Sequence, residues 1–133
     1  MAVTYPLFVF EKDDQSIRLI ENPARLRYHL EAIDIVSGEY VFWDANGNGV
    51  SVAASVTTFT SKIGDVASCD SPFPLRDAFA LYVKSLGLPN FDVDGPPSEV
   101  WRRIQKELES RPERGSFLFR LFSKRKQKPY GTN

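Results

Sequence analysis

The run of the sequence that most resembles a metal-binding motif is Asp44-Ala45-Asn46-Gly47-Asn48-Gly49. It follows the opening of a calcium loop, D-x-[DN]-x-[DN]-G, where oxygen ligands alternate along the chain and a glycine permits a sharp turn. The position where Ca²⁺ needs a bidentate glutamate is Ser55, and the residues on either side are β-formers rather than helix formers. A lone carboxylate holds Ca²⁺ poorly, whereas two Asn-Gly pairs supply the positive φ that hairpin turns demand. The run therefore reads as a turn, and no metal or cofactor is expected.

Three further candidates are thinner. His29, the only histidine, forms His29-Leu30-Glu31, which is similar to the H-x-E of zinc deaminases. The P-C-x-x-C that completes that site is missing, because Cys69 is the only cysteine. Cys69 precedes a helical pattern by a few residues, where a lowered pKa would make it a nucleophile. Asp70 beside it opposes that, so a small buried apolar residue is the expectation. Asp92-Val93-Asp94 resembles the metal-holding carboxylate pair of some sugar-nucleotide enzymes, but it lies in a Pro/Gly segment without a phosphate-cradling glycine motif. Neither G-x-S-x-G, G-x-x-x-x-G-K-[ST], G-x-G-x-x-G nor H-E-x-x-H occurs. No catalytic set is expected, and a small carboxylate-dependent enzyme working near Asp44 or Asp92 is the rival reading.

The elements around these groups follow from periodicity. Residues 7–10 and 17–20 are short β-forming runs around an Asp-rich turn, an antiparallel hairpin. Asn22-Pro23 starts a helix to about residue 34, with Leu26, Leu30 and Ile33 on its apolar side and Ser37-Gly38 ending it. Residues 39–43 and 50–58 are strands around the Asp44 turn, and residues 59–72 read as a loop with at most one short strand at 65–68. Leu75, Ala78, Phe79, Tyr82, Val83 and Leu86 trace one helical face, which Gly87 and Pro89 terminate. Ser98 caps a last helix to about residue 110, striped by Trp101, Ile104 and Leu108. Hairpins outnumber crossovers, so the expected fold is α+β: a mainly antiparallel sheet of four to five strands with two to three helices on one face. The expected division is one domain over residues 1–122 and a basic tail over 123–133.

Charge separates the two ends. The 17 Lys/Arg and 17 Asp/Glu cancel. Residues 1–97 hold seven Lys/Arg against thirteen Asp/Glu (7 − 13 = −6), and residues 98–133 hold ten against four (10 − 4 = +6). The cationic end also carries Phe117-Leu118-Phe119-Arg120-Leu121-Phe122, which fits either a strand or a helix. Three fates compete for it: docking on the chain's own acidic body, insertion into a partner or a second copy, or contact with an anionic membrane through Lys124, Arg125, Lys126 and Lys128. Nucleic acid is disfavoured, because the anionic body repels phosphate and the cluster is short.

At 133 residues the chain has the size of one unaided domain. A single cysteine rules out an internal disulfide framework, and the N-terminus lacks a signal-peptide pattern, so a soluble cytoplasmic protein is expected. In size and composition the chain resembles small bacterial proteins that neutralise a partner, such as toxin immunity proteins. The function expected is non-catalytic interaction with another protein or a second copy. The contact residues expected are Trp101, Arg102, Phe122, Lys124 and Arg125, with Tyr40, Trp43 and Asp44 as a second patch. A peripheral membrane adaptor using the tail is the remaining alternative.

Overall fold

The structure, a computed structural model, describes residues 2–111. Five antiparallel strands form one sheet in the order β2-β1-β3-β4-β5: β1 (Leu7–Glu11), β2 (Ser16–Ile20), β3 (Tyr40–Trp43), β4 (Gly49–Val56) and β5 (Ser61–Ser68). The helices are α1 (Pro23–His29), α2 (Ala32–Val36), α3 (Leu75–Ser85) and α4 (Pro97–Ser110). The α+β antiparallel architecture is the one the sequence implies.

β1 is apolar at four consecutive positions, Leu7 to Phe10, and all of them are buried. Since side chains alternate along a strand, a run of this kind demands cover on both faces of the sheet. On one face Leu7 and Val9 join Ile20, Phe42 and Val50, and α1 adds Leu26 with Leu30 just beyond its end. On the other, Phe8 meets Phe79 of α3 edge to face, with ring centroids 5.5 Å apart. Phe73, just ahead of α3, stacks edge-on against both Phe10 and Trp43. The indole N–H of Trp43 donates to the Phe73 carbonyl at 3.2 Å. Burying rings of this size contributes about 1.5–3 kcal/mol each. The one-face layering expected from the sequence therefore describes α1 and α2, while α3 packs on the opposite face.

Local chemistry sets the helix boundaries. Asn22 caps α1 by accepting from the Arg25 N–H at 3.0 Å, with Pro23 at the first helical position. Arg18 ties the other end of α1 to the sheet: its guanidinium donates to the His29 carbonyl at 2.9 Å and pairs with nearly buried Glu11 at 3.3 Å. The helix expected to continue to residue 34 breaks at Leu30, which is extended (φ −119°, ψ 153°), and restarts at Ala32. That break shifts the phase, so Ile33, expected in the buried stripe, is exposed. α3 ends as its sequence implies: Gly87 (φ 82°) takes the left-handed position while the Leu88 N–H returns to the Val83 carbonyl at 2.8 Å. α4 starts one residue ahead of the expected Ser98 cap, at Pro97, with the Glu99 and Val100 N–H groups donating to the Pro96 carbonyl.

The largest departure is β5, which occupies most of the segment expected to be a loop. Val52 pairs with Val66, but Ala54 pairs with Ile63, so β5 carries an extra residue at 64–65. This bulge lets Ile63 and Val66, three apart, both pack on the Leu7–Phe42 cluster. As an edge strand, β5 displays Lys62 and Asp65 beside the bulge, features that discourage indiscriminate edge pairing.

Residues up to Val100 make one compact unit, and the chain from Trp101 onward belongs to a second. The described part of the second unit is the rest of α4 and Arg111. The expected boundary at residue 122 and the apolar run 117–122 lie outside the described residues.

Candidate functional site

The Asp44 loop is a hairpin turn. Asp44 is 2% exposed. Its Oδ1 accepts from the backbone N–H of Asn46 at 2.9 Å and of Asn48 at 3.0 Å. Its own N–H donates to the Asn48 carbonyl at 2.8 Å, closing the loop between β3 and β4. A carboxylate oxygen turned inward onto two amides is engaged as a turn acceptor, the Asx role. Gly49, where β4 begins, lies under the Cys69 backbone: a Cβ there would come 2.5 Å from the Cys69 carbonyl oxygen, so no side chain fits. Trp43, the neighbour of Asp44, is fully buried against Phe73. Neither Trp43 nor Asp44 has surface to offer a partner, which corrects their place in the expected second patch. Tyr40 is half-buried, edge-on to Phe42, with its hydroxyl 3.5 Å from Asp34 Oδ2.

The remaining reactive candidates stand apart. His29 is exposed and stacks edge-on with Tyr28. Cys69 is an exposed free thiol rather than the buried apolar residue expected, because the strand pairing that holds its backbone, an N–H donated to the Gly49 carbonyl, leaves it on the sheet rim. Asp92 accepts the Asp94 N–H at 2.9 Å, and Asp94 pairs with Arg76 at 2.6 Å, both on the surface. That hydrogen bond raises the Arg76 pKa above its usual range. Among the described residues no three His, Cys, Asp or Glu side chains come together.

Of the other expected contact residues, Arg102 is exposed and Trp101 half-buried on α4, in the second unit. Phe122, Lys124, Arg125, Lys126 and Lys128 lie outside the described residues.

A different surface lies on α1, α2 and the β4–β5 hairpin. Among the described residues, the large exposed apolar side chains are Tyr28 (78%), Ile33 (53%), Val36 (58%), Val56 (41%) and Phe59 (92%). Every one belongs to α1, α2 or the β4–β5 hairpin, and α2 packs directly on that hairpin. A cleft of about 560 Å³ opens there, lined by Arg27, Leu30, Glu31 and Ile33 on the helix side and by Lys62 and Ile63 on the strand side. Beneath this region Tyr5 packs on the core; burial pushes its hydroxyl pKa above the usual range, with Arg27 pulling the other way.

The hairpin tip is tightly built. Thr57 N–H donates to the Thr60 carbonyl at 2.7 Å, and Thr57 Oγ1 accepts from the N–H groups of Phe59 and Thr60 at 3.3 and 3.0 Å. The two threonine hydroxyls lie 2.8 Å apart. Sequence reasoning missed this tip because Phe59 opened a stretch read as loop. The signal was Thr57-Thr58-Phe59-Thr60, a self-capping ST turn between two β-forming runs.

Among the described residues no helix is long and apolar enough to cross a membrane. No protein-family model matches the chain, and neither the curated proteins nor the solved structures give a match.

Proposed function

We propose that the chain is a non-catalytic protein-interaction domain of the immunity or adaptor kind. One observation carries the reading: the exposed large apolar side chains of the described residues gather on α1–α2 and the adjoining β4–β5 hairpin. Isolated surface apolar residues need no explanation, but five of them on adjoining elements, Ile33 among them on the wall of a cleft, have the composition of a contact surface. The groups that could have carried catalysis are spent on turns or scattered, as Asp44, Asp92, His29 and Cys69 show. The opposed charge of the two ends of the chain suits a partner whose approach is steered electrostatically. Trp101, Arg102, Phe122, Lys124 and Arg125 remain the proposed cationic and aromatic contacts, now joined by Ile33, Val36 and Phe59. The single cysteine fits a reducing cytoplasm.

The test is purification of the tagged full chain from its native host, read against an Ile33→Ser/Val36→Ser variant. A stoichiometric protein complex, homomeric or heteromeric, that the variant weakens by about tenfold or more is the expected result. A chain that elutes alone in both forms, or a complex indifferent to the variant, overturns the reading.

A further inference from the structure

We infer that the cleft between the α1–α2 helices and β5 takes an acidic side chain, one Asp or Glu, from a segment of a different protein. The inference rests on the interaction reading above and adds the chemistry of the occupant. Residues 1–97 are anionic as a whole (7 − 13 = −6), yet this cleft is locally cationic. Its lining carries Arg27 from α1 and Lys62 from β5 against Glu31 alone (2 − 1 = +1). Among the described residues the ion pairs are Arg18 with Glu11 and Arg76 with Asp94, and neither Arg27 nor Lys62 is in one. Two cations lining one cleft repel each other, and a carboxylate between them relieves that repulsion. Arg27 offers a carboxylate two parallel N–H donors, and Lys62 offers an ammonium on a flexible stem. At about 560 Å³ the cleft has room for a side chain, and buried Leu30 and Ala32 with half-buried Ile63 give its stem apolar contact.

The surroundings point to a protein as the source of the carboxylate. Apolar surface continues past the cleft, since Tyr28 on α1 and Val36 on α2 are exposed and stand outside its lining. A free organic acid would leave both in water, whereas the flanks of a protein segment cover them. A nucleic acid or an anionic membrane brings many charges against the acidic body. A single carboxylate largely avoids that repulsion, because salt screening confines it to its near neighbours.

The complex purified from the native host tests this through the sign of three charge changes, each made in the full chain with an unchanged circular dichroism spectrum. Arg27→Glu and Lys62→Glu should each weaken it by about tenfold or more, and added salt should weaken the wild-type complex. Glu31→Gln removes the opposing charge and should tighten it by about threefold. A complex that Ile33→Ser/Val36→Ser weakens but the two charge reversals leave untouched overturns the acidic occupant and keeps the interaction reading. A complex that Glu31→Gln weakens overturns it too, since the occupant is then a cation, as does a complex made only of copies of this chain. The absence of any complex overturns both readings. A second arm titrates the purified chain with isovalerate, a free carboxylate on an apolar stem, and follows the backbone amides of Arg27, Glu31 and Lys62 by NMR. Weak binding at millimolar concentration is expected, and saturation at micromolar concentration would make the ligand a free acid and overturn the protein source.

Discussion

β1 and β5 belong to the same sheet, with β3 and β4 between them, and could hardly differ more. All five residues of β1 are buried, whereas β5 has none that are fully so. β1 is covered above and below, by α1 on one face and α3 on the other, and its apolar run leaves no alternative to burial. The β4–β5 hairpin extends beyond that cover, with α2 packed on it among the described helices and a phenylalanine displayed at its tip. The division teaches that stability and presentation are separated along the sheet: the β2-β1-β3 half can be held rigid by packing, and the β4–β5 half is left accessible.

The contrast breaks hardest at the buried centre. Phe8→Ala removes a fully buried ring and its edge-to-face partner contact with Phe79, and should cost about 3–5 kcal/mol. Chemical denaturation should show a lowered midpoint without loss of cooperativity. A cost below about 1 kcal/mol would mean that the two-sided burial of β1 is not what holds the fold. Next comes Asp44→Ala, which strips the acceptor from the Asn46 and Asn48 amides in a nearly closed turn. Its expected cost is about 1–3 kcal/mol, the desolvation penalty of unpaired buried donors. Added Ca²⁺ should leave the thermal midpoint of the wild type unmoved, because the carboxylate already has its partners.

The buried half was the half legible in the sequence. The periods of β1, β3 and α3 come from side chains that must be covered, and burial writes a regular pattern. Asn22-Pro23 and Gly87 were equally readable, since cap chemistry is local. Three features escaped for reasons that are not local. The break at Leu30–Glu31 leaves Leu26, Leu30 and Ile33 in a spacing indistinguishable from one continuous helix. The bulge at residues 64–65 turns the two-residue period of β5 into a three-residue gap between Ile63 and Val66, which hides the strand. Trp43 and Asp44 drew notice as residue types suited to contact, but their burial depends on Phe73, thirty residues away, and on a loop folding inward. The accessible half has no burial pattern to read, so its site became visible only in three dimensions.

A smaller effect separates the core from its rim by pH. Burial raises the pKa of Tyr5 in the folded state above the value near 10 that an unfolded chain shows. A raised folded pKa means the native state keeps the proton longer, so the stability linked to Tyr5 is fully present below pH of about 10 and is lost as pH climbs through the folded value. The difference in unfolding free energy between wild type and Tyr5→Phe should therefore be constant with pH below about 10 and shrink above it. A difference that is flat throughout would place the hydroxyl in solvent.

The smallest stability effect is expected at the most exposed residue of the proposed contact surface. Phe59→Ser, measured on the purified chain, should change the unfolding free energy by no more than about 0.5 kcal/mol, because a 92% exposed ring has little packing to lose. Set beside Phe8→Ala, this compares one residue type at two places in one sheet. A core that loses several kcal/mol and a tip that loses almost nothing would show that the phenyl ring at Phe59 does no work for the monomer's fold. A tip variant that destabilised the monomer by 1 kcal/mol or more, roughly the value of a buried methylene, would return Phe59 to the core and remove the reason for its display.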